Sequence, residues 1–191
     1  MMHRHFILYK PDGYLSQFVN NQTKRKNKKL LGQLFDFPEG TMAIGRLDEP
    51  SEGLLLLTTD GKASEHVRSE KVEKEYFAQV DGLIGEEVIY KLKSGVEIST
   101  ESGLYKTKPC TVRILDETPN IASRNKPIRS ERHGPTSWIS LTLTEGKYRQ
   151  VRKMTAAVGF PTLRLVRVRI GKIELNTLKP SEAREVLEFE V

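Results

Sequence analysis

The sequence predicts an α+β fold: a mainly antiparallel, mixed sheet with flanking helices. Three observations point there. The 191 residues are 37% hydrophobic and 29% charged, which supplies a core and excludes global disorder. Short strand-like segments outnumber the three segments with helical character. No internal repeat is visible, and no linker is rich enough to separate independent domains. A single domain over residues 1–191, built as two closely packed α+β lobes, is therefore expected.

Residues 6–10 read as a strand that stops at the turn Pro11-Asp12-Gly13. Residues 20–29 are polar and basic, and read as a loop. A short strand is expected over 42–46. Residues 47–53 form a loop, because Pro50 disfavours a helix interior. Residues 54–57, four leucines, have the pattern of a strand buried on both faces. Asp60 is placed to cap a short helix over 62–70. Residues 76–80 are strand-like and stop at Asp81-Gly82. Residues 86–93 read as a helix closed near Gly95. Strands are expected over 96–98 and 110–115. Residues 116–135, rich in Pro, Ser, Asn and Arg, read as a long loop or irregular hairpin. Residues 138–143 alternate as a half-buried strand does. The clearest helix is 147–158. There Tyr148, Val151, Thr155 and Val158 share one face, and Arg149, Arg152 and Lys153 share a second. Gly159 ends it, and strands over 163–170 and 173–175 follow.

Composition excludes several classes. Cys110 is the only cysteine, so an intramolecular disulfide framework and a multi-cysteine zinc site are ruled out. The longest apolar run has four residues, against the roughly 20 that span a bilayer. The N-terminus is too short and polar for a signal peptide. A reduced, soluble, cytoplasmic protein with no membrane partner fits, a monomer by default. His3 and His5 form a terminal pair, while His66 and His133 are isolated, so no metal-ligand spacing is present. Cys110 fits a small apolar filler better than a nucleophile. No glycine-rich phosphate loop or dinucleotide fingerprint occurs, so no nucleotide cofactor is expected.

The net charge of +6 is unevenly spread. Residues 124–169 hold eleven basic and two acidic side chains, net +9, leaving the remainder at −3. A second run, residues 24–29, has five basic residues in six. Concentrated positive charge suits a polyphosphate partner, which gains affinity by counterion release. Neither cluster lies on a long apolar amphipathic helix, so a membrane surface fits less well.

Three segments could carry chemistry. The first, Gly45-Arg46-Leu47-Asp48-Glu49-Pro50-Ser51-Glu52-Gly53, wedges a charged loop between two apolar strands. Loops held by a rigid scaffold are where catalytic groups sit. A plainer alternative is a turn in which Asp48 caps a backbone N–H and Arg46 pairs with Glu49 or Glu52. The second is Lys74-Glu75-Tyr76, where the ring is either core or a stacking platform for a base. The third is Glu145-Gly146-Lys147-Tyr148-Arg149-Gln150-Val151-Arg152-Lys153-Met154. It is either an ordinary amphipathic surface helix or one whose basic face and first N–H groups meet RNA phosphates.

These segments occur together and in order, with Lys10-Pro11-Asp12-Gly13-Tyr14-Leu15-Ser16-Gln17-Phe18 before them and Leu165-Val166-Arg167-Val168-Arg169-Ile170-Gly171 after. In this the chain resembles the RsuA-type family of ribosomal RNA pseudouridine synthases, from about residue 5 to about residue 176. Within the family it is most similar to a large-subunit (23S) enzyme; the catalytic pattern begins within the first ten residues, so no extra N-terminal RNA-binding domain is expected, which is a further similarity. Ser51 departs from the family's usual threonine but keeps the hydroxyl.

The resemblance implies the fold of the pseudouridine synthase catalytic domain and a reaction without cofactor or metal. A uridine in RNA loses its N1–C1′ bond, the uracil rotates, and C5 bonds to C1′. Asp48 matches the family's catalytic aspartate, acting by attack on C1′ or by removing the 2′ proton. Arg152 matches the basic residue paired with it. Tyr76 matches the tyrosine that stacks on the base, Leu165 an apolar residue near the ring, and Arg46 a support for the flipped nucleotide. Lys147, Arg149, Lys153 and Arg167 are candidate substrate-binding residues. Their phosphate contacts would offset the few kcal/mol needed to extrude a base. Alternatives stay open: a small-subunit or transfer-RNA substrate, a non-catalytic ribosome-associated RNA-binding protein, or a hydrolase pairing Asp48 with Glu49 or Glu52. The last meets the geometry poorly, since paired carboxylates must flank the bond.

Overall fold

The computed structural model describes residues 2–20, 27–124, 126–129, 131–176 and 178–191. Much of the loop expected over 20–29, including Lys24, Arg25 and Lys26, lies outside the described residues. The chain is α+β and divides into two compact units, Met1–Val72 with Val166–Val191, and Glu73–Leu165.

Unit one is built around β3 (Glu52–Thr58), which carries the leucine run and is buried along its whole length. β1 (His5–Lys10) pairs with it antiparallel, Tyr9 opposite Leu54 and Phe6 opposite Leu57. β9 (Thr162–Ile170) lies parallel on the other edge, Glu52 opposite Val166 and Gly53 opposite Arg167. A strand flanked on both edges and covered on both faces can be apolar at every position. Gly53 is required there: its φ is +104°, and a Cβ would stand 2.3 Å from the Arg167 carbonyl oxygen.

Leu55 and Leu57 share a face and pack with Phe6, Leu8 and Leu31. Phe37 closes that core edge-on to Phe6 and Phe18, at 5.3 and 5.5 Å. β11 (Ala183–Val186) pairs antiparallel with β1, giving the order β11-β1-β3-β9. Two-residue strands, β2 (Met42–Ala43) and β10 (Ile173–Glu174), add to β3 and β9. α1 (Gly61–Arg68) begins as predicted at Asp60, whose carboxylate accepts the Lys62 N–H at 2.9 Å.

Unit two has the strand order β9-β4-β8-β7, with β4 (Lys74–Asp81), β8 (Thr136–Leu143) and β7 (Thr111–Leu115). β4 and β8 pair antiparallel over eight residues, Tyr76 opposite Leu141. α2 (Glu86–Ser94) supplies Ile89 and Leu92 to the core, and α3 (Gln150–Ala157) supplies Val151 and Met154. They pack with Ala78, Val80, Ile139 and Leu141 of the sheet. A separate hairpin joins β5 (Glu97–Thr100) to β6 (Gly103–Lys106). No helix among the described residues is long and apolar enough to cross a membrane.

Several elements differ from expectation. The strand predicted over 42–46 shrinks to β2, and the chain then bends at Gly45, whose φ of +68° suits glycine. β6 and β11 were not expected, because four-residue segments are too short to carry periodicity. The helix predicted over 147–158 starts only at Gln150. Arg149 takes left-handed φ and ψ of 53° and 33°, which an α-helix cannot contain. Tyr148 consequently sits in a turn, exposed, rather than on the buried face its spacing implied.

Candidate active site and nucleic-acid interface

In unit one the Arg46–Asp48 loop is clamped through its backbone. Leu47 is buried between two more accessible neighbours, exposed Arg46 and half-buried Asp48. Ser16 holds Leu47 from both sides: its Oγ donates to the Leu47 carbonyl at 2.8 Å and accepts the Leu47 N–H at 3.0 Å. The Ser51 N–H closes a turn onto the Asp48 carbonyl at 3.0 Å. The Glu49 carbonyl takes the Gly13 N–H at 2.9 Å, and its carboxylate pairs with Lys28 at 2.5 Å. Arg46 and Asp48 therefore stand on a backbone held by four hydrogen bonds, the kind of support a functional loop needs.

Lys10 lies beneath this loop at 0% exposure. Its Nζ donates to the carbonyls of Tyr14, Pro11 and Glu49 at 2.7, 3.0 and 3.2 Å. Burial pulls its pKa from 10.5 down to about 8, against the opposing pull of the charges on Asp12, Glu52, Glu49 and Asp48. A buried ammonium here ties the turn after β1 to the Asp48 loop and adds positive potential near a cluster of carboxylates.

In unit two, Tyr76 sits near the start of β4 on the same face as Ala78 and Val80. The ring is half-buried, packed against the core and still partly open. Arg152 projects from α3, and its Nη1 donates to the Thr162 carbonyl at 3.4 Å. Lys147, Tyr148 and Arg149 are exposed in the turn before α3. Lys153 Nζ donates to the Ser99 carbonyl of β5 at 2.7 Å. Leu165, 6% exposed, belongs to the core cluster.

A carboxylate fixes this turn. Glu145 is 5% exposed and accepts three hydrogen bonds: from Tyr105 Oη at 2.5 Å, Gln150 Nε2 at 2.7 Å and the Lys108 N–H at 2.8 Å. Gln150 in turn accepts the Lys147 N–H at 2.9 Å through its Oε1. One buried acid thus joins the hairpin strand β6, the chain after it and the start of α3. Burial, and then the Glu145 charge, push the Cys110 thiol up to about 11, so it stays protonated and inert near neutrality.

Comparison with known proteins decides the family. A family model described as RNA pseudouridylate synthase matches residues 4–157. The chain belongs to the RNA pseudouridylate synthase family. It is 43% identical over 176 residues to a ribosomal large subunit pseudouridine synthase E of Xanthomonas axonopodis pv. citri, covering 91% of this chain and 89% of that one. It is 41% identical to the protein of the same name from Vibrio parahaemolyticus, covering 94% and 72%. A solved structure titled as a pseudouridylate synthase superposes with a TM-score of 0.75 at 28% identity, covering 96% of this chain and 70% of that one.

Against that family background the candidate residues fall into two groups. Arg46, Asp48 and Arg167 belong to unit one, and Tyr76, Lys147, Arg149, Arg152, Lys153 and Leu165 to unit two. Arg167 is 5% exposed, and its Nε donates to the Leu54 carbonyl at 2.7 Å, stitching β9 to β3. Arg164, also in the basic window, is buried and donates to the Ala122 carbonyl at 2.6 Å. Part of the positive charge therefore serves the fold. Sequence reasoning missed Lys10, Ser16 and Glu145 as organisers of the synthase loops. The signal for Glu145 was present: it is one of only two acids in the basic window, five residues before a glutamine.

Proposed function

We propose that this chain converts a uridine of large-subunit ribosomal RNA into pseudouridine, with Asp48 as the catalytic carboxylate. The observation that carries the reading is the similarity, over nine-tenths of both chains, to an enzyme named for that substrate. The clamped, half-buried position of Asp48 supports its role.

The chemistry needs an ionised carboxylate at the sugar of an everted nucleotide. Asp48 acts at C1′ or at the 2′ proton while the N1–C1′ bond breaks. The freed uracil turns on Tyr76, C5 bonds to C1′ as Asp48 leaves C1′ or returns the 2′ proton, the C5 proton leaves and N1 gains one. Mass is conserved. Arg152 is the cation paired with Asp48, Arg46 supports the flipped nucleotide and Leu165 packs near the ring. Lys147, Arg149 and Lys153 are the substrate-binding basic residues, while Arg167, buried with its Nε on the Leu54 carbonyl, holds β9 against β3 rather than meeting phosphate. In this reading residues 1–191 are a single catalytic domain, acting as a cytoplasmic monomer without a nucleotide cofactor. Phosphate contacts at the α3 turn offset the unstacking cost, on the order of a few kcal/mol.

The test is tritium release from large-subunit ribosomal RNA labelled at uracil C5. Release with unchanged RNA mass, and a pseudouridine mapped at one position, is the expected result. Binding without release would leave an RNA-binding protein, and free uracil a hydrolase. Label released only from small-subunit or transfer RNA would overturn the substrate.

A further inference from the structure

Tyr148 stands apart from the residues assigned above. It is 72% exposed, although its spacing from Val151 suits burial. A lone exposed aromatic is ordinary on a protein surface, so the surroundings decide. Lys153 Nζ lies 5.2 Å over the Tyr148 ring, and the same ammonium donates to the Ser99 carbonyl of β5. The cation is therefore pinned on one face of the ring. Lys147, which precedes Tyr148 in the same turn, has its Nζ 4.7 Å over the ring of Tyr105 on β6. The backbone beneath is fixed by left-handed Arg149, by the Lys147–Gln150 pair and by the Glu145 latch. The result is two tyrosine rings, each carrying a lysine, on a prearranged turn.

We propose that Tyr148 is a stacking site for an unpaired nucleotide of the RNA substrate, distinct from the target uridine, with Lys147 and Lys153 taking its phosphates. The proposal rests on the RNA-modifying reading above and adds a subsite to it. The ligand class follows from the pairing of features. A π-face selects a flat ring, and every base has one, so the contact tolerates any sequence. Ammonium groups beside the ring select an anion attached to it. A nucleotide satisfies both, whereas an acidic peptide satisfies only the second. Preorganisation matters because a rigid aromatic loses little conformational freedom on binding.

The experiment measures binding of in-vitro-transcribed large-subunit ribosomal RNA across a salt series, for wild type, Tyr148→Ala, Tyr148→Phe and Lys147→Ala. Tyr148→Ala is expected to bind about tenfold more weakly at every salt concentration, with an unchanged slope of log K against log salt. Tyr148→Phe is expected within about twofold of wild type, because the ring remains. Lys147→Ala reduces the magnitude of the slope by about 0.7, because it removes a phosphate contact to an unpaired strand. In parallel, an unpaired RNA decamer carrying 2-aminopurine loses fluorescence on binding to wild type and Tyr148→Phe but not to Tyr148→Ala. Wild-type affinity or persistent quenching in Tyr148→Ala overturns the proposal. So does equal loss in the Phe variant, or polyglutamate competing as well as RNA at equal charge. These readouts need no turnover. Failure of the wild type to make pseudouridine would leave a stacking result standing, and the reverse also holds.

Discussion

Lys10 and Gly53 occupy positions where a single atom decides the outcome. A Cβ at Gly53 would penetrate the Arg167 backbone at a φ that side chains avoid. Gly53→Ala is therefore expected to cost at least about 2 kcal/mol in urea unfolding; a loss under half of that would contradict the close approach of β3 and β9. Lys10 has a pH signature. Its folded pKa of about 8 lies below its ordinary 10.5, so the fold favours the neutral amine. Below pH 8 both folded and unfolded chains hold the proton, and the group adds no pH dependence. Between pH 8 and 10.5 the folded chain has released a proton that the unfolded chain still holds, so this group's contribution to stability rises with pH. The stability of wild type relative to Lys10→Met is expected to grow by roughly 1 kcal/mol per pH unit across that window. A constant difference would place the ammonium in water instead. At this scale the sequence singled out Asp48, because a charged loop between apolar strands is anomalous, but its catalytic role rests on the family resemblance. It concealed Lys10, because a lysine closing a strand reads as a solvated end.

Among the elements, the start of α3 shows how a polar network overrides periodicity. The spacing of Tyr148, Val151, Thr155 and Val158 describes a helix from residue 147. The helix begins three residues later because Gln150 turns its side chain back onto the Lys147 N–H while Glu145 holds Gln150. Hydrophobic pattern locates a helix, but its first residue depends on which side chain satisfies the leading N–H groups. β3 and β8 were legible for the opposite reason, since a leucine run and alternating apolar residues mark strands whatever caps them, although β8 is buried at five of the six positions 138–143 rather than on one face alone. Removing the latch has a calculable cost. Glu145→Ala takes the acceptor away from three donors, and a buried donor left unsatisfied costs about 1–3 kcal/mol. A loss of about 3 kcal/mol is expected, against about 1 kcal/mol for Tyr105→Phe, which gives up one bond. Equal stability of Glu145→Ala and wild type would show that the turn is held by other means.

Across the whole molecule, charge and chemistry are divided. The basic window supplies both fold and surface: Arg164 and Arg167 are consumed by backbone carbonyls, while Lys147 and Arg149 are exposed. Net charge alone therefore overstates the surface available to RNA. The double variant Arg149→Ala with Lys153→Ala is expected to weaken RNA binding and to lower its salt slope by about 1.5. An unchanged slope would move the RNA face elsewhere. The proposed catalytic carboxylate, Asp48, lies in unit one. The most direct test of its role is tritium release from uracil-C5-labelled large-subunit ribosomal RNA by Asp48→Asn, with RNA affinity measured alongside. Release is expected to vanish while affinity stays within about tenfold of wild type, since one carboxylate adds little to phosphate contact. Continued release by Asp48→Asn at the wild-type rate would contradict the assignment.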